Sequence, residues 1–156
     1  MALSTTLQQY LADQKIAYEV ITHRPTISSS VTAEASHVSG ACVAKAVIVK
    51  DEDRFMMAVL PASHHVKLDE LSRVLGRAVR LATEDEASEL FPDCSTGAIP
   101  SLGAAYGVDM VVDDSLAKQP AIYFEGGDHT SLVQVSSEQF FWLTQNAAHG
   151  HFSTHD

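Results

Sequence analysis

The sequence predicts one domain of the α+β, mixed-sheet class. Three observations carry that prediction. The chain has 156 residues, close to the commonest size of a single domain. Hydrophobic residues make up 46% and charged residues 19%, a globular composition in which about two-thirds of the chain surface leaves water on folding. Helix-period segments are interleaved with hairpins rather than alternating strictly with single strands, which favours a mixed sheet over a doubly wound one. No repeat, linker or low-complexity stretch divides the chain, so one domain over residues 1–145 is expected, followed by a frayed tail, 146–156.

The elements follow in chain order. Ser/Thr caps before Leu7, Tyr10 and Leu11 mark a first helix over 4–15. Residues 18–23 alternate as a half-buried strand ending before Pro25. A short helix is expected over Thr32–Ser39, with Ala35 and Val38 inward and Gly40 as its stop. The run 41–49, ACVAKAVIV, is apolar on both alternating sets and reads as a strand buried on both faces, paired as a hairpin with Phe55–Leu60. A helix at 66–75 stopped by Gly76, a short strand at Val79–Leu81 and a helix opened by the capping box Thr83-x-x-Glu86 come next. A glycine-containing loop, DCSTGAIPSLGAAYG, precedes strands at Tyr106–Val112, Ala121–Glu125 and Ser131–Val135, the last two joined by a turn at 126–128. Ser136-x-x-Gln139 caps a final helix holding Phe140, Phe141 and Leu143.

Charge and motifs exclude several functions. Ten basic against twenty acidic residues give a net charge of −10, which repels a polyanion at long range and disfavours generic nucleic-acid binding. Most basic residues nonetheless fall between Lys45 and Arg80, with Arg73, Arg77 and Arg80 near helical spacing, so a local contact with one RNA end stays open. No apolar run spans a bilayer and the N-terminus has no signal-peptide pattern, so a cytoplasmic protein without membrane contact is expected. Cys42 and Cys94 fit neither a disulfide framework nor a metal pattern and read as small core residues. His64-His65 and the tail histidines give no metal-ligand spacing, and no G-x-S-x-G elbow is present. The pair Asp113-Asp114 reads as a solvated turn.

Three places could carry chemistry. Lys45 lies in the middle of an apolar strand, on the alternation of Val43, Val47 and Val49. An ammonium there is either a snorkelling edge residue or a cation offered to a pocket. The loop Thr96-Gly97-Ala98-Ile99-Pro100 can be a plain turn or a binding loop whose free N–H groups face an oxyanion. Gly126-Gly127-Asp128 turns the chain so that His129 sits at a hairpin mouth, either as a bystander or as a proton-transfer group.

Taken in this order, Lys45 in a hairpin strand, the loop Gly97-Ala98-Ile99-Pro100, the strand MVVDDSL and the segment IYFEGGDHTSLVQVSSEQF make the chain resemble the YbaK family over roughly residues 3–145. These are stand-alone relatives of the editing insertion domain of bacterial prolyl-tRNA synthetase. The resemblance implies a single compact α+β domain with a mixed, partly barrel-like sheet flanked by helices, and hydrolysis, in trans, of the ester of a mischarged aminoacyl-tRNA carrying a small amino acid such as alanine or cysteine, most often on tRNA for proline. It makes Lys45 the key functional residue and the loop from Thr96 to Pro100 the lining of the amino-acid pocket. Chemically, an activated ester needs a placed water and an oxyanion site rather than a strong nucleophile. Gly97 and Ala98 would supply the oxyanion donors and His129 would orient an amine or a water, with Thr96, Ile99, Pro100, Gly127 and Asp128 binding substrate. The partner implied is the 3′ end of aminoacyl-tRNA, with room for a synthetase, no cofactor, and a monomer or weak homodimer. The rival from another class is a non-catalytic module of the same fold that binds an amino acid, a nucleotide or a protein.

Overall fold

The computed structural model describes residues 3–26 and 29–156. Helix α1 (Thr5–Asp13) begins where the Ser4 hydroxyl accepts the Leu7 N–H, and it buries Leu7 and Leu11. Strand β1 (Glu19–Thr22) turns Ile21 toward the protein and leaves Val20 46% exposed. Helix α2 (Ser29–Ala35) departs from expectation at its end. It stops at His37, whose φ of 58° is left-handed, while the His37 and Val38 N–H groups bond back to Glu34 O and Ala33 O. That is a Schellman closure made three residues before Gly40, and it buries Thr32 and Ala33 more deeply than Ala35 and Val38.

Strands β2 (Val43–Lys50) and β3 (Phe55–Pro61) form the expected hairpin. Its turn is held by Asp51 Oδ1, which accepts from the Asp53 and Arg54 N–H groups. After β4 (His64–Val66) comes α3 (Leu68–Leu75), stopped by Gly76 at φ 73°. Next are β5 (Arg80–Leu81) and α4 (Glu84–Leu90), which opens on the expected Thr83/Glu86 capping box. Tyr106, expected to open a strand running to Val112, instead closes a 3-10 turn over Gly103–Tyr106 ended by Gly107, and β6 is Asp109–Asp113. Strands β7 (Ala121–Glu125) and β8 (Ser131–Ser136) lead to α5 (Ser137–Leu143), again with its capping box.

The tail expected to fray is instead built in. Strand β9 (Ala148–Gly150) pairs parallel with β6, and β10 (Ser153–His155) pairs antiparallel with β4. Phe152 between them is fully buried and its N–H donates to Asp113, so an apolar anchor and a buried hydrogen bond hold a segment whose composition alone looks solvated.

The main sheet runs β1-β8-β7-β2-β3-β6-β9, with β5 also on β2. It is mixed: β2/β7, β3/β6 and β6/β9 are parallel and the other pairs antiparallel. Alternation splits the core across it. Ala44, Ile48, Met57, Val112 and Phe124 face α1 and α5 on one side. Val49, Ala58, Leu60 and Val111 face α3 on the other, where Val43 and Leu132 also pack with Ala33 of α2. Lys45 belongs to this second face. Among the described residues no helix is long and apolar enough to cross a membrane.

Candidate functional site

The glycine-containing loop is stapled at both ends. Ser95 N–H donates to Gly127 O at 2.8 Å, and the buried Ser101 hydroxyl donates to Ala44 O at 2.8 Å. Strands β2 and β7 pair in register only at Val43/Tyr123 and Ala44/Phe124. The loop therefore bridges the turn after β7 to the strand of Lys45, beginning one residue short of Lys45 itself. Two of the three predicted places are joined directly, and the third is the next residue along β2.

Within the loop, Ala98 N–H donates to Ser95 O at 3.0 Å and Gly97 has φ 83°. A closed turn with a positive φ at its third residue needs glycine there, as in a type II turn. The consequence for the oxyanion expectation is asymmetric. The Ala98 N–H is consumed by the turn and Ala98 is buried, whereas the Gly97 N–H has no acceptor among the described residues and Gly97 is exposed. Ala98 is thus corrected from donor to turn-closing residue. Pro100 is buried behind the loop, while Thr96 is exposed and Ile99 half-buried.

The turn after β7 is equally fixed. Gly127 has φ 107°, and a Cβ on it would lie 2.8 Å from that of Ser4, so no other residue fits without displacing α1. Asp128 does not offer its carboxylate outward: Oδ1 accepts the Thr130 and Ser131 N–H groups at 2.9 and 2.7 Å, and Oδ2 accepts the Ser131 hydroxyl at 3.2 Å. Burial raises its pKa, but these donors win and hold it below the usual carboxylate range. Asp128 shapes the turn. His129 is half-buried, its carbonyl accepts Thr26 N–H, and its ring has no hydrogen bond among the described residues.

Lys45 is half-buried and its ammonium donates to His64 O on β4. Burial lowers its pKa, and the negative charge of Asp156 partly restores it. A cation held against a carbonyl, with a carboxylate nearby, stays available to an anionic or carbonyl oxygen.

On the opposite face of β2 lies a cleft of about 270 Å3 lined by Ala46, Ile48, Phe91, Cys94, Thr96 and Ile99 among others. The loop therefore lines a cleft that Lys45 does not enter. Cys94, expected in the core, is half-buried at this cleft with Sγ 3.1 Å from the Tyr106 hydroxyl. Burial pushes its thiol up to about 11, with Asp93 adding to the effect against the Tyr106 bond, so it is not a nucleophile at neutral pH. Cys42, also expected in the core, is half-buried and donates to Gln119 Oε1.

The arginines near helical spacing do not make a free basic rim. Arg73 pairs with Glu70, Arg77 with Asp51 and Arg80 with Glu86. His64 and His65 diverge, to Ser153 and Asp156. Two carboxylates were missed. Asp113, expected in a solvated turn, is fully buried, and Glu125 at the end of β7 is 2% exposed with no hydrogen-bond partner among the described residues. The available signal was a charged residue closing each of two apolar strands.

A mixed sheet flanked by helices, with a bridging loop and a tight glycine turn, defines a single α+β domain. Residues 23–142 match the aminoacyl-tRNA editing domain family, and the chain belongs to it. No curated protein matches the chain. Among solved structures, the hypothetical protein APE2540 is 22% identical with a TM-score of 0.85, over 96% of this chain and 99% of that one. A structure described as a candidate trans-editing enzyme for prolyl-tRNA synthetase is 19% identical with a TM-score of 0.84, over 97% and 96%. A third, described as a candidate signal transduction protein from Marinobacter aquaeolei VT8, is 21% identical with a TM-score of 0.79, and the match covers 97% of this chain but 31% of that one. At these identities the structures establish a shared fold.

Proposed function

We propose that the protein is a trans-acting deacylase that hydrolyses the ester of a tRNA mischarged with a small amino acid, alanine or cysteine, on tRNA for proline. The observation that carries this reading is the loop stapled between Gly127 and Ala44, which ties the His129 turn to the strand of Lys45. Membership of the editing family supplies the substrate class.

In this reading the ester lies where the β2/β7 pairing ends beyond Ala44, reached by Lys45 from one face of β2 and by the loop from the other. The Lys45 ammonium leaves His64 O for the terminal phosphate or the ester carbonyl oxygen, and Gly97 N–H donates to the oxyanion that develops. His129 orients the attacking water. Water adds to the carbonyl carbon, the bond from that carbon to the ribose oxygen breaks, and the ribose oxygen leaves with a proton. The fixed loop from Thr96 to Pro100 bounds the side chain, so larger residues are excluded sterically. A synthetase that charges the same tRNA is the partner class this activity implies.

The test is a deacylation panel at near-physiological salt with tRNA for proline charged with alanine, cysteine, serine or proline. Hydrolysis of one non-cognate ester, with prolyl-tRNA spared, is expected. Lys45→Ala should lower kcat/KM by about 10²–10³ while the thermal transition stays in place, because Lys45 makes one hydrogen bond from a half-buried position. A folded wild type inactive on every ester, or a Lys45→Ala variant with full activity, would overturn the assignment. The first outcome would favour the binding-module reading.

A further inference from the structure

Glu125 ends β7 immediately before the Gly126-Gly127 turn, and nothing in the mechanism above uses it. It is 2% exposed and neither carboxylate oxygen has a hydrogen-bond partner among the described residues. The nearby Thr32 hydroxyl is bonded to that of Thr26 at 2.5 Å, and Asp128 acts on Glu125 as a second negative charge. Lys45 and Glu125 each follow by one residue the last β2/β7 pair, Ala44/Phe124, so by alternation both side chains belong to the face of Val43 and Tyr123 on adjacent strands. The evident partner does not take it: the Lys45 ammonium turns away to His64 O.

A buried carboxylate without a donor is costly to keep and is normally matched by a cation. Among the described residues no cation pairs with it. The substrate class proposed above supplies one, because an aminoacyl ester carries an α-ammonium on the carbon next to the carbonyl under attack. We propose that Glu125 is a substrate-binding residue that receives the α-ammonium of the aminoacyl ester. This rests on the deacylase reading and extends it. Shut off from bulk water, the carboxylate attracts a cation with little screening. Because Glu125 leads directly into the turn whose Gly127 carbonyl holds Ser95, an ammonium fixed there directs the adjacent carbonyl toward the Gly97 N–H.

The experiment uses the aminoacyl-tRNA that the wild type cleaves, beside the same tRNA after nitrous acid deamination, which replaces the α-amine by a hydroxyl and leaves the ester intact. Each kcat/KM is divided by the uncatalysed hydrolysis rate of its ester. The wild type should favour the amine by about 10- to 100-fold, the range of a charge-assisted hydrogen bond. Glu125→Gln should bring the aminoacyl rate down to the hydroxyacyl rate while changing the latter less than about threefold, so the ratio collapses to near one. A residue that merely supports the fold would lower both rates together and keep the ratio, which overturns the proposal. A wild-type ratio near one overturns it as well, even if the variant does not fold. A folded wild type that cleaves no ester removes the deacylase reading and this proposal with it.

Discussion

Asp113 on β6 and Glu125 on β7 are buried to the same degree, 0% and 2% exposed, and lie on one face of the sheet with Leu60 and Lys45 on the strands between them. Their surroundings differ in donors. Asp113 accepts the Ser115 N–H and hydroxyl at 3.0 and 2.6 Å and the Phe152 N–H at 2.9 Å. Burial pushes its pKa up, but these bonds prevail and hold it below the usual range. Glu125 has no such bonds. Burial takes it up to about 7, with the Thr32 hydroxyl opposing and the Asp128 charge adding. Depth alone does not set ionisation; the donors supplied at that depth do. One carboxylate anchors the C-terminal strands, and the other is left for a ligand.

The contrast breaks most forcefully at Asp113. Asp113→Ala leaves the Phe152 N–H buried without an acceptor and should cost about 3 kcal/mol, read as a lower urea midpoint at pH 7. Amides of β10 should then exchange faster than those of β3. Unchanged stability would mean that Asp113 is a bystander.

Glu125→Gln sharpens the comparison through pH. A glutamate pKa raised from 4.5 to about 7 in the folded state means that the native protein binds more protons than the unfolded chain across that window. Stability is therefore lost as pH rises through it, by about 3 kcal/mol once both states are ionised. Asp113 has the opposite sign: its contribution is present above its unfolded pKa and is lost as pH falls through its folded value. The Glu125→Gln variant should gain on the wild type by about 3 kcal/mol between pH 4.5 and pH 8, measured by denaturant titration at both. A pH-independent difference would show that Glu125 ionises alike in the folded and unfolded states, with no upward shift from burial.

The smallest effect is expected at the other end of the loop. Ser101→Ala removes the hydroxyl that holds Ala44 O and should cost about 1 kcal/mol together with a few-fold fall in kcat/KM, both visible beside the wild type in the same panel. A stability loss without any kinetic change would separate the staple from the site.

Much of this was legible in the sequence because the signals were local. Capping boxes at Thr83 and Ser136, the Gly76 stop and the apolar hairpin around Lys45 depend on neighbours a few residues away. The tight backbone of the loop and of the glycine turn was recognisable for the same reason. What was hidden depends on distant partners. Asp113 is buried by Phe152 from 39 residues away, and β9 and β10 exist because β6 and β4 present edges to them. Glu125 has the reverse problem: its significance is a missing partner, and a sequence does not display an absence.

The antiparallel pairing of β1 with β8, reinforced by Ser4 N–H on Gly126 O at 2.8 Å, sets an order in time. Residues 19–22 leave the ribosome long before residues 131–134, with which they pair. At ordinary elongation rates that interval is roughly 5–20 s, during which β1 is a strand without a neighbour and the Ser4 N–H has no Gly126 carbonyl to meet. The turn that holds His129 is thus among the last parts of the molecule to be completed. The site is assembled only once nearly all of the domain has been made.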